Sequence, residues 1–164
     1  MKSKVLIMMG SDSDLSVMEK TGEMLDEFNI AYDMTVSSAH RTPDRTLRLV
    51  RDAEKNGTEV IIAGAGAAAH LAGVIASHTT LPVIGVPIDS SPLNGIDSLY
   101  STVQMPPGIP VATMAVGKAG AKNAGIFAAQ IIGLKNPAVA EALRSYRGKM
   151  AAEVEKKAKN IKKK

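Results

Sequence analysis

Short runs of consecutive apolar residues alternate along the chain with longer segments in which apolar residues recur every three or four positions. The run over 4–9 is apolar at five successive positions, which is typical of a strand buried on both faces of a parallel sheet. The segment over 15–28 places its apolar residues on one helical stripe that begins at Leu15. The same two patterns then repeat to the end of the chain.

This repetition predicts five strands and six helices, whose ends are marked by turn and cap residues. Thr42 and Pro43, for example, are a good N-cap and a good first helical residue. The predicted strands are 4–9, 31–37, 59–63, 81–87 and 111–116. The predicted helices are 15–28, 43–55, a short one ending near Ser77, 97–103, 121–132, and a long one from 138 onward. The proline-rich segment 105–110 is expected to be irregular, and its apolar side chains suggest burial under another subunit or over a pocket.

Strand and helix alternate five times, which predicts an α/β fold with an open, parallel, doubly wound sheet of the flavodoxin-like type. Helices flank this sheet of about five strands, and the last helix is long. We expect residues 1–164 to form one domain, because the length suits a single core and no repeat or linker interrupts it. Abundant alanine and glycine, with only 3% aromatic residues, favour close helix packing and extensive subunit contact.

In such sheets a ligand lies beyond the carboxyl ends of the strands. That rule brings together three loops, at 10–14, 37–42 and 64–70. All of the candidate functional residues lie on them, so one edge of the sheet is the predicted site.

The first loop offers Gly10, Ser11, Ser13 and Asp14 between a strand and a helix. Helix capping alone accounts for two of its polar side chains. The backbone N–H groups and the dipole of a helix N-terminus also favour a phosphate. Because Asp14 would repel that phosphate, we expect it to accept hydrogen bonds from ribose hydroxyls or a base.

The second loop places His40 next to Arg41, directly after a strand. Histidine is the side chain that ordinarily exchanges a proton near neutral pH. Arginine suits forked recognition of phosphate or carboxylate. The pair indicates that an anionic substrate is held while a proton moves; the alternative is a loop histidine and a surface arginine without a shared role.

The third loop matches the dinucleotide fingerprint through Gly64, Gly66 and Ala69. The match is discounted, because it lies in the third strand–helix unit and the nearest suitable acid, Asp89, follows a further strand. What remains is a loop without bulky side chains, against which a small ligand could lie. His70 either faces that ligand or is a partly buried histidine with a structural role, and the residues favour neither.

The net charge of +4 comes from the C-terminal segment. Residues 156–164 hold six of the 20 basic residues and no acidic one, so the rest of the chain has 14 basic and 16 acidic residues, a net charge of −2. This segment is predicted to be a solvated helical tail, because lysines suit a helix C-terminus. No nucleic-acid partner is expected, because such a protein needs a basic folded face with stacking aromatics.

The chain contains no cysteine, which excludes disulfide and thiolate chemistry and makes the cytoplasm the expected location. His40, His70 and His78 lack a metal-ligand spacing, so no metal is expected. The apolar run at the N-terminus is too short for a signal peptide or a membrane span, and no membrane partner is expected.

Six motifs in one order extend over essentially the whole chain. They are Gly10-Ser11-x-Ser13-Asp14, Ser38-Ala39-His40-Arg41-Thr42-Pro43, Ala63-Gly64-Ala65-Gly66-x-Ala68-Ala69-His70-Leu71, Asp97-Ser98-Leu99, Gln104-Met105-Pro106-x-Gly108-Ile109-Pro110 and Ala119-Gly120-Ala121-x-Asn123-Ala124. With these motifs the sequence resembles the class I N5-carboxyaminoimidazole ribonucleotide mutases, the PurE family of purine biosynthesis.

The resemblance implies an isomerase that moves a carboxylate of a small ribonucleotide from the exocyclic nitrogen to ring carbon C4. Decarboxylation, retention of the carbon dioxide and recarboxylation would proceed without a metal, nucleoside triphosphate or organic cofactor. His40 would be the general acid and base, in a homo-octamer. By motif position, Ser11, Asp14 and Arg41 would hold the ribonucleotide, and Ser13, Ser38, Gly66 and His70 would line the site.

Two alternatives stay open. Class II members of the same family carboxylate aminoimidazole ribonucleotide with free carbon dioxide, and they carry a lysine where this chain has Arg41. They also have a different loop where this chain has 64–70, so both positions favour the mutase. The other alternative is a non-catalytic, nucleotide-binding flavodoxin-like module, which would need the loops but not the imidazole.

Overall fold

A computed structural model describes residues 2–161 of the chain. Its strands are β1 (Val5–Met9), β2 (Tyr32–Val36), β3 (Val60–Gly66), β4 (Val83–Ile88) and β5 (Ala112–Thr113). Its helices are α1 (Leu15–Glu27), α2 (Pro43–Asn56), α3 (Leu71–Ala76), α4 (Ile96–Val103), α5 (Lys118–Gly133) and α6 (Pro137–Ile161), and a short 3-10 turn (Asp12–Asp14) precedes α1.

The five strands are all parallel and lie in the order β2-β1-β3-β4-β5. The chain adds strands first on one side of β1 and then on the other, so the sheet is doubly wound. This confirms the predicted fold, including the flanking helices and the long C-terminal helix. The reversal of strand order at β1 and β3 leaves a crevice at their carboxyl ends, where such sheets bind ligands.

Each face of the sheet is covered by its own layer of helices. Val5, Ile7 and Met9 of β1 belong to one core cluster, with α1, α5 and α6, while Leu6 and Met8 belong to the other, with α2 and α3. Because successive strand residues point to opposite faces, burial on both faces requires the unbroken apolar run seen in the sequence.

Small residues let α5 approach α1 closely. Ala121, Ala124 and Ala128 are fully buried, and the Thr21 hydroxyl donates a 2.9 Å hydrogen bond to the carbonyl of Ala121. A Cβ on Gly125 would lie 2.8 Å from the carbonyl oxygen of Thr21. Part of the alanine and glycine content therefore serves packing within the chain.

Three local predictions differ from the structure. The strand predicted over 111–116 is reduced to β5, an edge strand that follows the proline-rich segment. β3 continues beyond residue 63 to Gly66, because its last residues pair with β4 as far as Ile88. Leu15 is 47% exposed, since it opens α1 next to the open edge of the sheet.

The last helix packs only through its first half. Val139 and Leu143 are buried, and the ring of Tyr146 meets Phe28 edge to face at 5.5 Å. Every residue from 147 to 161 is exposed. The lysine-rich segment is therefore helical and solvated up to Ile161, and its last three residues, 162–164, lie outside the described residues. In the described part of the chain, no helix combines the length and apolar character needed to cross a membrane.

Candidate active site

A cavity of about 290 Å³ opens at the carboxyl ends of β1, β2 and β3. The three predicted loops all contribute to its wall. Of the eight residues predicted for the site, seven line this cavity: Ser11, Ser13, Asp14, Ser38, His40, Arg41 and Gly66. The eighth, His70, reaches it through a contact with His40.

The first loop is a tight, self-bonded turn. The Ser11 hydroxyl accepts a hydrogen bond from the Ser13 backbone N–H at 3.3 Å, and Asp14 Oδ2 accepts one from the Ser11 N–H at 3.1 Å. This reciprocal arrangement is a capping box. The same side chains face the cavity, so capping and lining are compatible.

Asp14 is the buried acid of the site, with only 4% of its surface exposed. Burial raises the pKa of the Asp14 carboxyl above its ordinary value, and the hydrogen bond from the Ser11 backbone only partly offsets this. The fold therefore holds a carboxylate in surroundings that disfavour its charge, which is common at functional sites.

Arg41 ties the second loop to the first. Its backbone N–H donates to the Ser38 hydroxyl at 3.2 Å, and its Nη2 donates to the carbonyl of Gly10 at 3.2 Å. One side of the guanidinium is thus held by the protein, while the side chain stays exposed at the cavity. A fixed, exposed guanidinium suits an anionic group.

Thr42 differs in detail from the prediction. It occupies the N-cap position of α2, but its side chain makes no capping hydrogen bond. Its hydroxyl instead accepts from the Ser38 N–H at 3.0 Å and lies 3.1 Å from the Ser38 carbonyl. The threonine therefore closes the loop that presents His40, because Ser38 offers it both a donor and an acceptor nearby.

The two imidazole rings at the site are in direct contact. His40 Nε2 lies 2.8 Å from His70 Nδ1, and the ring centroids are 4.9 Å apart at an interplanar angle of 81°. Both residues are exposed, and His40 lines the cavity. One proton can lie between these nitrogens, so the pair can hold and pass a proton.

Protein side chains lie close to the positions that a Cβ would take on the two glycines of the third loop. A Cβ on Gly64 would lie 2.3 Å from Met18 Sδ, and a Cβ on Gly66 would lie 1.7 Å from Ser90 Oγ. The sequence had suggested that this loop is kept small for a ligand. The structure shows that side chains from α1 and from the loop after β4 fill those spaces.

Of the described residues that line the cavity, Ser90 is the one with a polar side chain that sequence reasoning missed. No residue of the loop after β4 was predicted for the site. The available signal was the one used for the other loops, a polar residue directly beyond the carboxyl end of a parallel strand. Within residues 2–161, no group of three His, Asp or Glu side chains could hold a metal ion.

A parallel doubly wound sheet with a polar, histidine-containing cavity at its carboxyl edge defines a flavodoxin-like α/β protein with a candidate site where such sheets bind ligands. The AIR carboxylase family model matches residues 4–153, so this chain belongs to the AIR carboxylase family. The resemblance to the PurE family carried by the six motifs is thereby confirmed.

Similar proteins align with this chain over nearly their full lengths. The N5-carboxyaminoimidazole ribonucleotide mutase of Thermotoga maritima is 56% identical over 158 residues, covering 96% of this chain and 91% of the relative. The Escherichia coli K12 protein of that name is 49% identical over 152 residues, which cover 93% of this chain and 90% of that protein. The crystal structure of Treponema denticola PurE is 30% identical, with a TM-score of 0.88 and coverage of 96% and 98%.

Proposed function

We propose that this protein is an isomerase of purine biosynthesis that converts N5-carboxyaminoimidazole ribonucleotide into 4-carboxy-5-aminoimidazole ribonucleotide. The observation that carries the proposal is the pair of contacting imidazoles, His40 and His70, beside a cavity with a fixed arginine. The names of relatives that are 49–56% identical support the same reaction. A binding module would need the loops but would have no use for a proton-sharing pair.

The ribose phosphate would bind to the loops after β1 and β2. Arg41 would meet the phosphate with the N–H groups that Gly10 does not occupy, and Ser11 and Ser13 would add hydroxyl groups. Asp14 would accept hydrogen bonds from ribose hydroxyls. Ser38 and Gly66 would line the remaining wall, next to the imidazole ring of the substrate.

Proton balance explains the need for one reversible acid and base. Cleavage of the bond between the exocyclic nitrogen and the carboxyl carbon leaves carbon dioxide, and the nitrogen takes up one proton. Formation of the bond from C4 to carbon dioxide releases the proton of C4. His40 would donate the first proton and accept the second, while His70 would hold the shared proton between the steps. Retention of carbon dioxide beside the ring would make its recapture effectively unimolecular.

The decisive experiment offers the purified protein each of two substrates and follows product by ultraviolet absorbance. We expect conversion of N5-carboxyaminoimidazole ribonucleotide without added bicarbonate. Use of only aminoimidazole ribonucleotide with bicarbonate would instead identify a class II carboxylase, and binding without any turnover would identify a binding module.

The proposed roles of the two histidines are tested in the same assay. His40→Asn should keep substrate affinity and lose turnover by about 100-fold or more, since general acid–base catalysis contributes that much. His70→Gln, which keeps hydrogen-bonding groups, should lose less than His70→Phe. Undiminished turnover in His40→Asn would overturn its role.

We also propose a homo-octamer in the cytoplasm. Exposed apolar residues around α4 support self-association: Leu93, Ile96, Tyr100 and Val103 are between 47% and 61% exposed. Ile96, Tyr100 and Val103 recur at helical spacing on α4. Together with Leu93, which precedes the helix, they make up what we call the α4 face. The cytoplasmic location stays a prediction from the cysteine-free sequence.

A further inference from the structure

We propose that Ser90 is a substrate-binding residue whose hydroxyl donates a hydrogen bond to the migrating carboxylate. This inference rests on the proposed function, because it needs a substrate with a carboxylate that leaves one atom and joins another. It assigns a role to the fourth loop of the site, which the sequence motifs do not include.

Strand register places Ser90 at the cavity wall. Gly66, at the end of β3, pairs with Ile88 of β4, and Ser90 lies two residues beyond that pair. The Ser90 Oγ would be 1.7 Å, and its Cβ 2.8 Å, from a Cβ built on Gly66. The hydroxyl thus takes the space that the glycine leaves open, and it is exposed to the cavity.

The backbone leading to Ser90 is held from two sides. The buried Ser98 hydroxyl lies 2.9 Å from the carbonyl oxygen of Ile88 and 3.0 Å from that of Gly95. The Gly117 N–H donates to the Pro87 carbonyl at 2.9 Å. Restraint of the backbone up to Ile88 limits where Ser90 can lie before a ligand arrives, which lowers the entropy lost on binding.

The position of Ser90 in the sheet decides which part of the substrate it meets. The groups assigned to phosphate and ribose belong to the loops after β1 and β2, whereas Ser90 follows β4, across β3 from them. A ribonucleotide with its phosphate near Arg41 would direct its base and carboxylate toward Gly66 and Ser90. The His40–His70 contact reaches from the loop after β2 toward that end, because His70 follows β3.

A neutral hydroxyl suits this reaction better than a cation. Decarboxylation turns a charged carboxylate into neutral carbon dioxide, so a cationic partner would stabilise the starting state and oppose the step. A hydroxyl can orient the carboxylate of the substrate and that of the product. It adds little to the barrier to decarboxylation, because a neutral hydrogen bond stabilises the starting carboxylate only modestly. We therefore expect Ser90 to affect whether the carbon dioxide is recaptured or lost as much as it affects the rate of turnover.

The test compares Ser90→Ala with Ser91→Ala. The Ser91 hydroxyl accepts a hydrogen bond from the Leu93 N–H at 3.1 Å within the loop, so its loss controls for changes to the loop. Two readouts are measured on the N-carboxylated substrate: kcat/KM, and the fraction released as aminoimidazole ribonucleotide instead of product. Ser90→Ala should have a kcat/KM about three- to tenfold below that of the wild type, and it should release a larger fraction of the substrate as aminoimidazole ribonucleotide. Ser91→Ala should match the wild type.

A double variant separates the hydrogen bond from packing. The combination of Gly66→Ala with Ser90→Gly puts the Cβ of residue 66 into the space that the Ser90 side chain occupies, without restoring the hydroxyl. The double variant should therefore behave like Ser90→Ala. Ser90→Thr keeps the hydroxyl and should release little free aminoimidazole ribonucleotide. Chemical unfolding of each variant confirms that it is folded.

The inference is overturned if Ser90→Ala and Ser91→Ala give the same turnover and the same released fraction. Failure of the proposed function has a different signature. If the wild type instead carboxylates aminoimidazole ribonucleotide with bicarbonate, the same pair of variants is compared in that reaction. A selective loss in Ser90→Ala then supports the carboxylate contact, and equal rates overturn it.

Discussion

Two imidazole rings that share a hydrogen bond cannot both be fully protonated. The 2.8 Å contact between His40 Nε2 and His70 Nδ1 needs one nitrogen as donor and the other as acceptor. The pair therefore carries at most three protons on its four nitrogens. A site that must give a proton and later take one back benefits from this limit, because one nitrogen of the pair always has a lone pair.

Asp14 illustrates a residue whose proposed role in substrate binding conflicts with stability. Its folded-state pKa is raised by burial above the ordinary value of 3.8. As the pH rises from 3.8 to the folded pKa, the unfolded state binds fewer protons than the folded state, so the free energy of unfolding falls. Above the folded pKa this loss is complete and constant.

Asp14→Asn should remove that penalty while keeping an acceptor for the Ser11 N–H. We expect its stability advantage over the wild type to grow as the pH rises from 3.8 and then to level off, as measured by urea unfolding at several pH values. Asp52→Asn, an exposed substitution on α2, is the control and should show no such trend. A constant difference at all pH values would contradict the burial argument, and substrate affinity should weaken in Asp14→Asn.

At the scale of elements, the contact between α1 and α5 leaves no space for a side chain at Gly125. A Cβ there would lie 2.8 Å from Thr21 O and 2.8 Å from Met24 Cβ. Since a backbone oxygen cannot move aside without shifting a helix, overpacking is expected. Gly125→Ala should lower the free energy of unfolding by about 1–3 kcal/mol.

Gly148 provides the matched control on α6, where a Cβ would meet nothing within 4 Å. Gly148→Ala should raise the free energy of unfolding by about 0.5–1 kcal/mol, because alanine loses less entropy in a helix. Urea unfolding measures both variants. Equal changes in the free energy of unfolding would contradict the overpacking argument, because they would show that α1 and α5 can move apart at little cost.

At the scale of the whole molecule, the proposed octamer depends on apolar surface that the chain leaves exposed. Tyr100→Glu puts a charge in the centre of the α4 face and should reduce the assembly to smaller species in sedimentation velocity. Leu134→Glu is the control, because Leu134 is 85% exposed and lies outside that face. A monomeric wild type, or an unchanged octamer in Tyr100→Glu, would contradict this surface as the interface.

Local patterns were sufficient to predict the architecture. Apolar runs of strand length and helical stripes are properties of neighbouring residues, so β1, α1 and α2 were predicted to within one or two residues. The parallel sheet then brings the ends of β1, β2 and β3 to one edge. That geometric rule grouped the three loops, and seven of the eight residues that the family motifs assigned to the site line one cavity there.

Contacts between distant segments were decided only by tertiary structure. His40 and His70 are 30 residues apart, and the sequence could not distinguish a ligand-facing His70 from a structural one. The space at Gly66 is filled by Ser90 because β3 and β4 pair in a particular register. The free energies of such contacts depend on side chains meeting across the sheet edge, and residue periodicity carries no information about them. The chain pattern therefore specified where a site must lie, and the fold specified which groups touch within it.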